Sequence, residues 1–167
     1  MIFRKTKKED IAEIMTIISD AQQKFRENDI DQWIDGYPDV VTIETDRDRG
    51  ESYVLADEDT VVGTAAISSL EEKTYRTVHE GEWLSEDPYL VVHRLAVTDE
   101  RKGEGLASVL LKKTEELAKA EQITSIKIDT HRKNGSMQRL LKKNGFTYCG
   151  INYLEDDSER FAYEKII

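Results

Sequence analysis

The sequence predicts an α+β domain in which helices cover the two faces of a sheet, and three observations carry that expectation. An apolar, β-rich run at residues 91–97 passes through a charged turn and two glycines, Gly103 and Gly105, into a strongly helical segment. A second strand-like run, residues 125–128, leads to Asn134 and another helical stretch that ends at Gly145 and Phe146. Hairpin patterns, two β-rich runs joined by turn residues, occur before the first of these units and again at the end of the chain.

Taken in order, residues 2–6 read as a short strand, and Thr6-Lys7-Lys8-Glu9 has the form of a capping box that starts a helix. Ile11, Ile14, Met15, Ile18 and Phe25 share one helical face, so that helix is expected to reach about Arg26. The segment 29–38 then sets two aromatics, Trp33 and Tyr37, among turn residues, where a loop can present them to a ligand or Trp33 can plug the edge of the core. Residues 39–48 form a second, short helix.

Residues 53–56 and 61–68 are strands joined by Asp57-Glu58-Asp59-Thr60, with Gly63 marking a bulge. Residues 70–87 are charged, contain Trp83 and read as a long loop that carries substrate specificity. After the glycines, Leu106, Leu110 and Leu117 lie beside Ala107, Leu111, Thr114 and Ala118 as a broad core-facing stripe. The Asn134 helix is capped by Gly145, and a final hairpin turns around Glu155-Asp156-Asp157-Ser158.

A chain of 167 residues is one domain with a sizeable core. Its 24 basic and 34 acidic residues give a net charge of −10, which weighs against nucleic acid or an anionic membrane as partner. The acidity suits solubility first and is compatible with a cationic acceptor. A single cysteine, Cys149, excludes an intrachain disulfide and suits a reducing cytoplasm. No apolar run reaches membrane-spanning length, and Met1-Ile2-Phe3-Arg4 does not open a signal peptide.

A strand that feeds a glycine loop at a helix start is an anion site, because the first N–H groups of the helix point outward and the helix dipole adds positive charge. Gly103 and Gly105 permit close backbone approach to a phosphate, and Arg101 and Lys102 place two cations beside it. A phosphate-binding P-loop sequence is absent, and Ser108 breaks a dinucleotide fingerprint begun at Gly103. The second unit adds Asn134, Gly145 and Phe146 in register with these glycines. Together they resemble the GCN5-related N-acetyltransferase (GNAT) superfamily over roughly residues 50 to 165. Two departures stand out: Glu100 occupies a position where the loop motif carries Gln or Arg, and Leu141 one where many members carry the Tyr that protonates the leaving thiolate.

The resemblance implies a mixed, mostly antiparallel sheet flanked by helices, with acetyl-CoA as cosubstrate at a central splay and no metal. It places the diphosphate on the loop Arg101-Lys102-Gly103-Glu104-Gly105-Leu106-Ala107, the pantetheine arm along Leu95, Ala96 and Val97, and Asn134 on that arm. It also puts the segment carrying Trp33 and Tyr37 around the acceptor, a small-molecule amine or a peptide N-terminus, and Trp83 of the specificity loop is expected to join them. Acetyl transfer to an amine needs a neutral amine, an aligned carbonyl, a stabilised oxyanion and a protonated thiol.

His93 is the first candidate base, because an imidazole titrates near neutral pH and strand alternation puts residue 93 on the face of Leu95. His93-Arg94-Leu95-Ala96-Val97 also matches a His-x-Leu-Ala-Val stretch of arylalkylamine acetyltransferases, whose His relays protons. Asp129, five residues before Asn134, is the second, where the ribosomal-protein alanine acetyltransferases place a Glu; each candidate competes with an ordinary packing or capping role. His131 reads as a surface residue, Tyr148 and Tyr153 do not resolve into an acid, and Cys149 reads as a structural thiol rather than an acyl carrier. The function expected is direct acetyl transfer to a primary amine. A non-catalytic acyl-CoA sensor or assembly module is the alternative, and a homodimer stays open as the assembly state.

Overall fold

Strand β1 (Ile2–Lys5) is followed in the computed structural model, which describes residues 1–167, by a single 3-10 turn, Lys8–Asp10, before helix α1 (Ile11–Glu27) begins. The expected capping box does not form, because Thr6 is buried and its hydroxyl is hydrogen-bonded to Ser52 Oγ at 2.7 Å. Asp10 takes over the helix start. Its carboxylate accepts the Lys7 N–H at 2.6 Å and two guanidinium bonds from Arg4 at 2.7 and 3.0 Å.

The Arg4 bond, more than any other contact, holds the buried Asp10 carboxyl below its ordinary range. A depressed native value means that this stabilisation is complete above the unfolded carboxyl's pKa of about 3.9 and is lost as pH falls through the native one. Asp10→Asn should therefore cost roughly 1–3 kcal/mol at pH 7 in urea unfolding, with the difference from wild type narrowing below about pH 4.

The remaining elements are α2 (Val40–Asp48), β2 (Ser52–Asp57), β3 (Thr60–Ser68), β4 (Tyr89–Val97), α3 (Leu106–Ala120), β5 (Ser125–Thr130), α4 (Gly135–Lys143), β6 (Thr147–Tyr153) and β7 (Glu159–Ile166). The strands form one seven-stranded mixed sheet in the order β1-β2-β3-β4-β5-β7-β6. β4 and β5 pair in parallel; β1–β2, β2–β3, β5–β7 and β6–β7 are antiparallel. The chain divides into two compact units, Met1–Ile67 with His93–Lys113, and Ser68–Val92 with Thr114–Ile167.

In the first unit, strand alternation sorts the core into two clusters. Val54 and Val61 join Ala96, Ile11, Ile14, Ile17 and Ile18 of α1, and Ile43 of α2. Leu55 and Val62 turn the other way, to Leu106 and Leu110 of α3. The expected bulge is present: Leu55 pairs with Gly63 and Ala56 with Val61, so Val62 is the extra residue. α3 approaches closely at Gly63, since a Cβ there would sit 3.0 Å from Leu110 Cδ1.

In the second unit, α4 ends as its sequence predicts. Gly145 takes φ 83°, its N–H bonds Lys142 O at 3.1 Å, and the Phe146 N–H bonds Leu141 O at 3.0 Å, with Leu141 and Phe146 both buried. The stretch expected to be one long loop is more ordered than that. It contains a 3-10 turn, Lys73–Tyr75, and a bridge in which His79 and Ile151 exchange N–H···O bonds of 2.7 and 2.8 Å. A Cβ on Gly81 would fall 2.0 Å from Cys149 O, so this contact with β6 requires glycine. No helix is long and apolar enough to cross a membrane.

Candidate active site

The glycine loop folds as a strand exit, one 3-10 turn (Asp99–Arg101) and a helix start. Gly103 and Gly105 hold φ 89° and 77°, left-handed values that disfavour any side chain. Nothing in the protein lies within 4 Å of where a Cβ would stand on either. The first α3 bond joins Val109 N–H to Gly105 O at 3.1 Å, so the N–H groups of Leu106 and Ala107 precede the helical ladder and face out of its positive end. Arg101 differs from expectation in its engagement: it bonds Glu104 at 2.8 Å and Asp57 at 2.6 Å, which leaves exposed Lys102 as the cation less committed to carboxylates of this chain.

Along β4, the side chains of Leu95 and Val97 pack on the α3 cluster and that of Ala96 on the α1–α2 cluster. What the strand offers a ligand there is its backbone. The ladder to β5 covers Tyr89–Val91 against Ser125–Lys127, and β4 continues to Val97. Within that continuation Arg94 takes φ 51°, a conformation costing an L-residue about 1–2 kcal/mol. The left-handed residue interrupts the strict alternation on which the shared face of His93 and Leu95 was expected. His93 is half-buried immediately before it.

Arg94 is a residue that sequence reasoning passed over, although an arginine inside an apolar strand is a visible signal. Its Nε and Nη2 donate to the two oxygens of Asp46 at 2.7 and 2.8 Å, and its Nη1 donates to the Tyr37 hydroxyl at 2.8 Å. Tyr37 is exposed on the loop 29–38. Trp33 packs against the α1–α2 cluster with its ring edge-on to Phe25 at 5.5 Å, so it does seal the core edge. It also takes φ 57°, an outlier for so bulky a residue.

In the second unit, the half-buried Asp129 lies near the end of β5, where its carboxylate accepts from buried Asn152 at 3.4 Å and stands against the Tyr75 hydroxyl. Burial first, then the Asp129 charge, pushes that phenol well above its ordinary range. Asn134 is the N-cap of α4, with its carboxamide oxygen accepting the Met137 N–H at 3.1 Å. Trp83 donates its indole N–H to Tyr75 O at 2.7 Å, and the Lys127 ammonium sits over its ring at 4.3 Å and over Tyr89 at 4.1 Å. These contacts bind Trp83 into the unit itself. Leu141, where the sequence departs from the resembled pattern, is fully buried and belongs to the core.

Cys149 is buried, and burial, followed by the Glu164 carboxylate, pushes its thiol up to about 11. Thiolate is then scarce at neutral pH, which favours the structural reading over an acyl carrier. Iodoacetamide at pH 7.5 should alkylate the folded protein more than about a hundredfold more slowly than the urea-unfolded chain, as read by intact mass.

The acetyltransferase (GNAT) family model matches residues 13–146, and the chain belongs to that family. It is similar to a GNAT-family acetyltransferase from Streptococcus agalactiae, at 32% identity over 99% of this chain and 95% of the other, with a TM-score of 0.90. A ribosomal-protein-alanine N-acetyltransferase from Brucella melitensis shares the fold at 18% identity, covering 100% of both chains with a TM-score of 0.71. So does a PaiA N-acetyltransferase from Thermoplasma acidophilum, solved with coenzyme A, at 18% identity over 99% of this chain and 98% of that one, TM-score 0.73. No curated protein matches the sequence. Family and fold together define an acyltransferase of the GNAT type.

Proposed function

We propose that this protein transfers an acetyl group from acetyl-CoA directly to a primary amine. The observation that carries the reading is the glycine loop: two left-handed glycines with open space over them, followed by N–H groups at the positive end of α3. There Lys102, Gly103, Glu104, Gly105, Leu106 and Ala107 hold the diphosphate mainly through backbone. Arg101 shapes the loop through Asp57 and Glu104. The backbone of Leu95–Val97 takes the pantetheine arm, and Asn134 is assigned to the same arm by the family pattern.

His93 serves as base toward the amine, with Asp129 as its rival. Trp33 and Tyr37 form the acceptor wall, and the carboxylates of Asp29, Asp31 and Asp35 on the same loop favour a cationic amine over an anionic acceptor. Trp83 supports the specificity loop from within. The leaving thiolate takes its proton from solvent, since Leu141 has no acidic proton to give. The family match crosses both compact units, which supports reading them as one domain. We place the protein in the cytoplasm, consistent with its single thiol.

The test is a panel of propylamine, 1,4-diaminobutane and an alanine-initiated peptide, each mixed with acetyl-CoA and followed by thiol release. Amine-dependent release on at least one of them supports transfer. Tight acetyl-CoA binding without release on any primary amine would leave a binding module instead.

A further inference from the structure

Arg94 on β4 joins two parts of the first unit that lie about fifty residues earlier in the chain, the end of α2 and the loop 29–38. Its backbone is left-handed within β4, and its guanidinium is forked onto Asp46 in the last turns of α2. The remaining arm reaches Tyr37 on the loop 29–38. Asp46 is only 5% exposed, so this anchor is sheltered from water, whereas Tyr37 is 46% exposed. A phenol oxygen that accepts from a guanidinium keeps its own hydrogen to donate elsewhere.

The loop needs such a tether, because Asp29, Trp33, Asp35 and Gly36 all hold positive φ. It is also tied by Ile30 N–H to Phe25 O at 2.9 Å, Tyr37 N–H to Ile34 O at 3.1 Å, Gln22 Nε2 to Tyr37 O at 2.8 Å, and the packing of Trp33 against Phe25. An arginine fork suits this double duty, since its planar donors reach a carboxylate and a hydroxyl at once; a lysine ammonium can hold the charge of Asp46 but lacks the fork.

We propose that Arg94 is a positioning residue: anchored on Asp46, it locks the Trp33–Tyr37 loop through the Tyr37 hydroxyl and so sets how the acceptor amine binds. The proposal rests on the acetyl-transfer reading for its consequence at the acceptor, but the lock itself belongs to the loop. The strain at Arg94 then has a purpose, since it turns the side chain of a sheet residue toward that loop.

Hydrogen exchange of the loop 29–38, read by mass spectrometry in wild type, Tyr37→Phe, Arg94→Lys and the double variant, tests the lock without any substrate. Each single variant should raise loop exchange by about tenfold, and the double should be no faster than the faster single, because Tyr37→Phe removes only a bond that Arg94→Lys has already lost. In steady state with the panel amine that wild type turns over fastest, both singles should raise KM for the amine several-fold and leave KM for acetyl-CoA unchanged.

Unaltered loop exchange in Tyr37→Phe, or additive effects in the double variant, would overturn the proposal. So would a rise in KM confined to acetyl-CoA. Should Arg94→Lys fail to fold, Tyr37→Phe decides alone, since it removes one exposed hydroxyl. If no panel amine is acetylated, acetyl transfer fails as a reading while the exchange data still decide the lock.

Discussion

Gly105→Val should abolish acetyl-CoA binding in a protein that still folds. Both halves of that expectation follow from the loop. Gly105 holds φ 77°, where a β-branched residue is strained, and no protein atom stands within 4 Å of the position its Cβ would take. The variant therefore meets no clash inside the protein, and a backbone penalty of about 1–2 kcal/mol is small against a usual stability of roughly 5–15 kcal/mol.

At the ligand the outcome is different. Either the valine keeps the loop conformation and fills the space left for the phosphate, or it relaxes φ and turns the N–H groups away from it. Calorimetric titration should show no acetyl-CoA binding, while circular dichroism shows native structure. Unchanged affinity in a folded Gly105→Val protein would move the diphosphate away from this loop.

His93→Gln should cut kcat by about a hundredfold or more while leaving acetyl-CoA affinity near wild type. His93 lies one residue before the left-handed Arg94 and two before Leu95, where the proposed path of the pantetheine arm along β4 begins. Asp129 is the rival candidate; its carboxylate accepts from Asn152 and stands against the Tyr75 hydroxyl. Glutamine keeps the size and polarity of His93 and removes its basic ring nitrogen, so the limb of the pH–rate profile contributed by the base should vanish with the rate. Near-normal kcat with that limb intact would hand the role to Asp129 or to solvent.

Much of the fold is legible in the sequence because it is local. The strand, two glycines and the leucine stripe of α3 lie within thirty residues, and Gly145 directly follows the C-cap residue Asn144, where a left-handed cap belongs. What escapes a reading along the chain is decided by partners far away in it. Thr6 looks like a cap until Ser52 takes its hydroxyl. Arg94 looks like one more charge in a strand until Asp46 and Tyr37 draw its side chain out and its backbone into a left-handed turn. The loop around Trp83 is present as read, but its anchor, Lys127 of β5 over the Trp83 ring, is not visible along the chain. The candidate site divides in the same way: its glycines are readable as a motif, while the geometry of the acceptor loop comes from tertiary bonds.

The measurement that bears most directly on acetyl transfer uses acetyl-CoA labelled with carbon-13 in the acetyl group and the best amine of the panel. Product mass and released thiol are followed together in one reaction. Direct transfer predicts labelled N-acetylamine appearing one-for-one with free coenzyme A, with no labelled protein at any time, and none of it with Gly105→Val. Labelled acetate in place of N-acetylamine, or a labelled protein that precedes the product, would contradict it.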